Sequence, residues 1–300
     1  MTKCPVCAEN FKKKDMDGLT KHFIMMNDRN DAFHVGWLRE YVPLDNYNTP
    51  NFAKSLASFF SVIDGDLKGW IERVFVEKFL GDKPHPFVEA MQKPKKALFL
   101  GFASEYYFFL KQKIKSCSFI IAKTDKEEVQ KFEAKIIFSE LSGTNGESAG
   151  SESSLLVRMA ESLGVPRDSI VNGVPLPPTI HSIKLWNQVS ESDHWLEVMG
   201  SINTLDMLPS KVMRERGAKF DIYNKSVLDN EWIPDHVKKF LTYIVDPKND
   251  HSQEALTLIS KYAKELDMIE DVQSAFLRSI DAFDRHLQAR LTRSKQFEGK

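Results

Sequence analysis

From about residue 65 to the C-terminus, apolar residues recur at steps of three and four, and no stretch alternates long enough to make a convincing strand. Asp64 or Asp66 can cap a helix over about 65–80 that carries Trp70, Val74 and Phe79. Pro84 and Pro86 end it around His85, and Pro94 precedes a long apolar helix through Phe99, Phe102, Phe109 and Ile114. A further helix is expected from Lys126 to about Glu140, before the Gly/Ser-rich break SGTNGESAGSESS. Leu155, Leu156, Met159 and Leu163 form the next stripe, closed by Gly164 and Pro166, and Trp195, Met199, Ile202 and Leu205 another. Val272, Phe276, Ile280, Phe283, Leu287 and Leu291 step by three or four along a long terminal helix, and so regular a face must be packed. The fold class is therefore mainly α.

The first forty residues have a different texture: a cysteine pair, a run of lysines and two histidines. The segment VPLDNYNTP then holds turn-forming residues without helical periodicity. This divides the chain into a small module over 1–42, a linker over 43–50 and an all-helical domain over 51–300.

Composition narrows the function classes. Lys plus Arg number 41 and Asp plus Glu 42, so nothing draws the whole chain toward nucleic acid or an anionic membrane. No apolar run is long enough to span a bilayer. The N-terminus is not a signal peptide, and three cysteines with no secretion signal point to a reducing compartment, the cytoplasm.

The cysteine pair carries the clearest chemistry. Cys4-Pro5-Val6-Cys7 is a knuckle followed by Phe11, Leu19 and then His22. That is the order of a two-cysteine, two-histidine zinc finger: hairpin ligands, two small core residues and a helix histidine. Zinc takes four tetrahedral N and S ligands, and a module this small needs such a staple. The window FIMMN after His22 offers no histidine, so His34 is the expected fourth ligand. A redox pair is the competing reading, but no thioredoxin-like context surrounds it. Residues 3–38 resemble small zinc-finger modules of archaeal type. Lys3, Lys12, Lys13, Lys14, Lys21 and Arg29 could touch phosphate, yet one finger gives little affinity, so nucleic acid is not the expected partner.

In the helical domain, HPFVEAM, FLGFASEYYFFLKQ, SLLVRMAESLGV, HWLEVMGSINTLDMLPSKV and KKFLTYIV with DHSQEALTLI follow in an order that resembles the haem-oxygenase-like helical bundle. Its nearest branches are the PqqC oxidase, TenA (thiaminase II) and the chlamydial-type di-iron oxidases. The resemblance implies a small-molecule enzyme and a pairing of subunits into a homodimer. For a di-iron site it implies ligands at Glu105, Glu147 and His251, with Gln112, Ile244 and Lys248 standing where other donors would be. Thiaminase chemistry is not expected, because no cysteine follows Cys117, which reads as a small buried residue.

Read from the residues alone, His251 and Glu254 are three apart and could share a metal. The plainer reading is that Asp250 caps a helix and both are solvated. His85 is a turn residue at a helix start, and His181, His194 and His236 lack partners at ligand spacing. His286, near Arg285 and Arg290, is expected to face solvent. Tyr106 and Tyr107 could line a pocket.

Two functions follow. The first is an oxidase, with iron or without a metal, acting on a small aromatic or amino-acid-derived molecule at a cavity formed by Glu105, Glu147 and His251. The alternative is a non-catalytic zinc-binding adaptor or regulatory protein with a degenerate site.

Overall fold

The computed structural model describes residues 2–12, 15–47, 50–142 and 150–298. Glu147 falls in the Gly/Ser-rich stretch outside the described residues. The chain starts with a short antiparallel ladder, β1 (Thr2–Lys3) against β2 (Asn10–Phe11), with Thr2 opposite Phe11. Every regular element after it among the described residues is helical. α1 (Met16–Asp28) begins where the Asp15 side chain accepts from the Gly18 N–H, and α2 (Ala32–Tyr41) where Asp31 accepts from His34. Side-chain carboxylates thereby satisfy backbone donors that a helix start leaves unpaired. α3 (Pro50–Phe60) packs on α1.

The helical body starts with α4 (Leu67–Phe79), capped by Asp66 as the sequence suggests. In α5 (Pro86–Met91) His85 is the N-cap, its Nδ1 accepting from the Phe87 N–H at 3.0 Å. α6 (Lys96–Lys123) spans about 42 Å at 1.5 Å per residue. α7 (Glu127–Ser142), α8 (Glu152–Ser162) and α9 (Arg167–Val171) pack along α6, and α10 (Pro177–Ser192) and α11 (Trp195–Ile202) cover both α6 and the terminal helix. α12 (Asp235–Ile244) lies on α8, α13 (Ser252–Glu265) on α11, and α14 (Ile269–Lys295) pairs along α6 as the central axis.

Gly101 permits that pairing. A Cβ there would lie 2.4 Å from the Arg290 carbonyl and 2.6 Å from the Ser294 nitrogen, so only glycine lets the two backbones approach. The terminal stripe of Val272, Phe276, Ile280, Phe283 and Leu287 is buried, as its period requires. His286 and Arg290 are buried too, which corrects the expectation of a solvent-facing histidine. His286 Nδ1 meets Thr179 Oγ1 at 3.2 Å, and burial, followed by the nearby Arg290 charge, lowers its pKa well below the ordinary value. Arg290 lies 4.6–5.8 Å from the ring centroids of Tyr106, Phe102, Phe87 and Phe283. Charged residues flanked His286 in sequence, but the aromatic cage that takes Arg290 inward is completed by α5 and α6, with only Phe283 from α14 itself.

The N-terminal module is joined to this body by apolar and charged contacts. Trp37 stacks on Phe23 within the module and on Phe60 of α3, Phe59 meets Trp70 of α4, and Trp70 meets Phe276 of α14. Lys3 reaches Asp193 at 2.9 Å and Glu197 at 2.6 Å. Ser274 donates to the Lys3 carbonyl, and the Tyr41 hydroxyl donates to Asp281 at 2.7 Å. Lys3, a candidate phosphate contact by sequence, is thus used to hold the module down. Among the described residues no helix is long and apolar enough to cross a membrane.

Candidate metal site and central cavity

Cys4 and Cys7 sit on the turn between β1 and β2, His22 on α1 and His34 on α2. Cys4 Sγ lies 3.6 Å from His34 Nε2, Cys7 Sγ 3.5 Å from His22 Nε2, and the two Nε2 atoms are 3.1 Å apart. All four ligand atoms fall within 4.8 Å of one another. A tetrahedral zinc with ordinary bond lengths sets S–N edges of about 3.6 Å and N–N edges of about 3.3 Å. The donor set therefore fits zinc by type and by size. The remaining ring nitrogens face carboxylates: His34 Nδ1 lies 2.6 Å from Asp31 Oδ1, and His22 Nδ1 3.0 Å from Glu9 Oε2. The Asp31 contact fixes the His34 tautomer and aims its Nε2 at the metal, while the Glu9 carboxylate lies near His22 Nδ1 without a hydrogen bond of good geometry. Asp31 has two duties here, as cap of α2 and as orienter of His34. The late fourth ligand follows from this: His34 opens the second helix instead of closing the first.

The second feature is a small cavity of about 40 Å³ inside the helical body. Tyr106 and Lys113 of α6, Glu140 of α7, Glu152 of α8 and Asp206 line it, with His251 and Asp250 closing the far side. Lys113 Nζ donates to Glu140 Oε1 at 2.8 Å and Asp206 Oδ1 at 2.9 Å. Burial works against the Lys113 charge, but the adjoining Asp206 and Glu140 outweigh it and hold its pKa well above the ordinary value. Tyr106 donates to Glu152 Oε1 at 2.8 Å. Burial, then the nearby Glu140 charge, pushes Glu152 up to about 8, so it holds a proton near neutrality. Burial first, then Lys113, lowers His251 to about 4, leaving a neutral ring. Glu140 Oε2, Asp206 Oδ2, Asn249 Oδ1 and His251 Nε2 are buried with no hydrogen-bond partner.

Of the expected cavity residues, Glu105 and His251 lie among the described ones, and they do not come together. Glu105 is fully buried, but its Oε1 accepts from Arg293 Nε at 2.7 Å and its Oε2 from the Leu176 N–H at 3.1 Å, and it does not line the cavity. His251 does. It is buried and is itself the N-cap residue of α13, which corrects both the expectation of a solvated first-turn residue and that of Asp250 as the cap; Asp250 accepts from the Ser252 N–H at 3.0 Å from one position earlier. Glu254 instead pairs with Lys135 at 3.1 Å on the exposed surface, so the two do not share a metal. The residues of α6 that reach the cavity are Tyr106 and Lys113, seven apart and one position on from Glu105 and Gln112. Tyr106 and Lys113 are two turns apart on one face of α6, but the flanking exposed Lys111 and Lys115 left no sequence signal to single out Lys113. Among the described residues only the Cys/His group has metal-holding geometry. The cavity residues do not fit a di-iron centre, and an ammonium occupies the place between two carboxylates where a cation would go.

Next to Lys113 on α6, Cys117 is fully buried beside Glu133 of α7, which accepts from Asn203 Nδ2 at 2.8 Å. Burial pushes Glu133 from 4.5 up to about 8. The folded state thus binds this proton more tightly than the unfolded one. The resulting stability is full below about pH 4.5 and is lost as pH rises through 8, on the order of 5 kcal/mol in all. Glu133→Gln should match the parent in urea unfolding at pH 5 and exceed its stability by a few kcal/mol at pH 9; equal curves at both pH values would contradict this placement.

Comparison with known proteins agrees with this architecture. The sequence model of the TENA/THI-4/PQQC family matches residues 70–293, and that of a C2H2-type zinc finger matches residues 1–61 in one copy. The zinc-finger match runs through α3, the helix that packs on α1. Among solved structures, the chain is similar to a TenA family transcription regulator from Silicibacter sp. TM1040. The two are 12% identical with a TM-score of 0.50, over 80% of this chain and 98% of that one. Among curated proteins, none matches the chain.

Proposed function

The chain belongs to the TENA/THI-4/PQQC family, and from that premise we propose that its helical body is a small-molecule enzyme whose substrate places an amino group in the Lys113 cavity. The observation that carries this reading is the set of acceptors without donors. Glu140 Oε2, Asp206 Oδ2 and Asn249 Oδ1 belong to lining residues and are buried without partners. Buried acceptors left unpaired are destabilising by about 1–3 kcal/mol each, and a ligand with several N–H donors relieves them together. With Glu152 protonated, the carboxylates of Glu140, Asp206 and Asp250 still outnumber the single Lys113 ammonium, which favours a cationic head beside it.

Glu152 is the group suited to move a proton. Its pKa near 8 lies close to a working pH of 7–8, and the Tyr106 hydroxyl fixes the orientation of its carboxyl. This supports the oxidase reading in its metal-free form: a redox-active aromatic or amino-acid-derived amine gives two electrons and two protons to O2, which leaves as hydrogen peroxide, and Glu152 relays a substrate proton. The test is oxygen uptake and product mass spectrometry with a panel of aromatic amines, amino acids and their decarboxylated amines. We expect turnover that added iron does not increase. Glu152→Gln should lower kcat at least ~100-fold with little change in KM.

A regulatory reading takes support from the likeness to the Silicibacter TenA family transcription regulator and from the exposed Phe33 beside the zinc ligands. Binding of the same amines without turnover would select that reading and contradict the enzyme.

A further inference from the structure

A cleft of about 790 Å³ lies where the zinc module meets the helical body, and it shares no lining residue with the Lys113 cavity. Three helices each turn one face toward it. Phe33, Gly36 and Glu40 on α2 step by three and four, as do Pro178, His181 and Leu185 on α10 and Arg278, Asp281 and Arg285 on α14. Cys7 and His34 reach the same space from the metal site.

The polar groups around the cleft divide into acceptors that are taken and donors that are not. Asp31 meets the His34 ring at 2.6 Å, and Asp284 meets His85 Nε2 at 3.3 Å. Glu40 and Asp281 both pair with Lys78, and Asp281 also accepts from the Tyr41 hydroxyl. Trp37 Nε1 and Arg278 Nε, which belong to lining residues, are buried without an acceptor. Arg285 is exposed and makes no ion pair among the described residues. Buried donors left unpaired are costly, so what the cleft lacks is an acceptor, and the unpaired guanidinium favours a charged one.

Two further observations set the rest of the ligand. Phe33 is 75% exposed on the cleft wall, which it shares with Val6, Pro177 and Pro178. Gly36 sits inside α2 with nothing within 4 Å of where a Cβ would lie, so packing gives no reason for a glycine there. A glycine inside a helix weakens it relative to alanine, and it has a use where another group approaches the backbone closely. The volume is that of a small-molecule site. We infer that this cleft binds a small apolar carboxylic acid, its carboxylate on Arg285 and its aryl or alkyl body against Phe33 and Gly36. The zinc module supplies one wall, so the ligand binds the zinc-loaded chain and favours that form in return. Nothing in this site depends on the amine reading of the Lys113 cavity.

The experiment titrates the zinc-loaded full chain with 4-phenylbutyrate, 4-phenylbutanol and acetate by calorimetry at constant ionic strength. The acid should bind at least tenfold more tightly than the alcohol, and acetate should give no measurable heat. Arg285→Gln should bring the acid down to the affinity of the alcohol. Gly36→Trp should fill the cleft and abolish binding of both, with a melting temperature no lower than that of the parent. Four results would overturn the site: no binding of the acid, equal binding of acid and alcohol, an affinity that Arg285→Gln leaves unchanged, or acid binding that survives Gly36→Trp.

Discussion

Removing the zinc by chelation, or replacing Cys4 with serine, is expected to lower the melting temperature of the whole chain by ~10 °C or more, in one transition. The reason is the way the module is attached. Structural zinc sites in small modules hold about 10–16 kcal/mol of apparent binding free energy at neutral pH, and the module folds around the ion. Here the turn that carries Cys4 also carries Lys3, whose ammonium is buried against Asp193 and Glu197 and whose carbonyl accepts from Ser274 on α14. His34 shares α2 with Trp37, which stacks on Phe60. Losing the ion therefore unpairs charges in the body and strips its aromatic cover. At roughly 2–4 °C per kcal/mol for a chain of this class, losing even a third of that binding energy gives the stated shift. A calorimetric scan with and without chelator checks this. Two separate transitions, with the larger one unmoved, would show the module to be a passenger.

Lys113→Met carries the second large effect. The ammonium is buried and neutralises Glu140 and Asp206 in an interior with no other cation at bonding distance of either among the described residues. Removing one partner of a buried charge network is destabilising by about 3–5 kcal/mol, because the remaining charges stay behind. Combining it with Glu140→Gln and Asp206→Asn removes those charges as well and should restore most of the loss. Urea unfolding of the single and triple variants measures this, and a triple variant no more stable than the single one would contradict the charge argument.

Helices and their packed faces were readable from the sequence because both are written in local spacing. Asp66 as cap and the terminal stripe of Val272 to Leu287 needed no tertiary information. The zinc ligands were readable as well, since the Cys4–Cys7 knuckle fixes the chemistry and His34 was the next histidine after His22. The cavity was harder. On a helix as apolar as α6, every face looks buried, and a shift of one residue exchanges Glu105 and Gln112 for Tyr106 and Lys113 without disturbing the pattern. Glu105 then found a local partner in Arg293, an arrangement set by how α6 and α14 pair. Glu140, Glu152 and Asp206 come from three other segments, and only the packing of the bundle brings them to one place. The buried His286 and Arg290 were missed for the same reason.

We propose that the zinc module staples a TENA/THI-4/PQQC body whose cavity works through Lys113 and its carboxylates without a second metal. Elemental mass spectrometry of the full chain, produced with iron and manganese added to the growth medium, tests this most directly. It should find one zinc per chain, lost in Cys4→Ser, and no stoichiometric iron or manganese. Near-stoichiometric iron or manganese that disappears on substituting His251 or Glu152 would contradict the account and place a metal in the cavity.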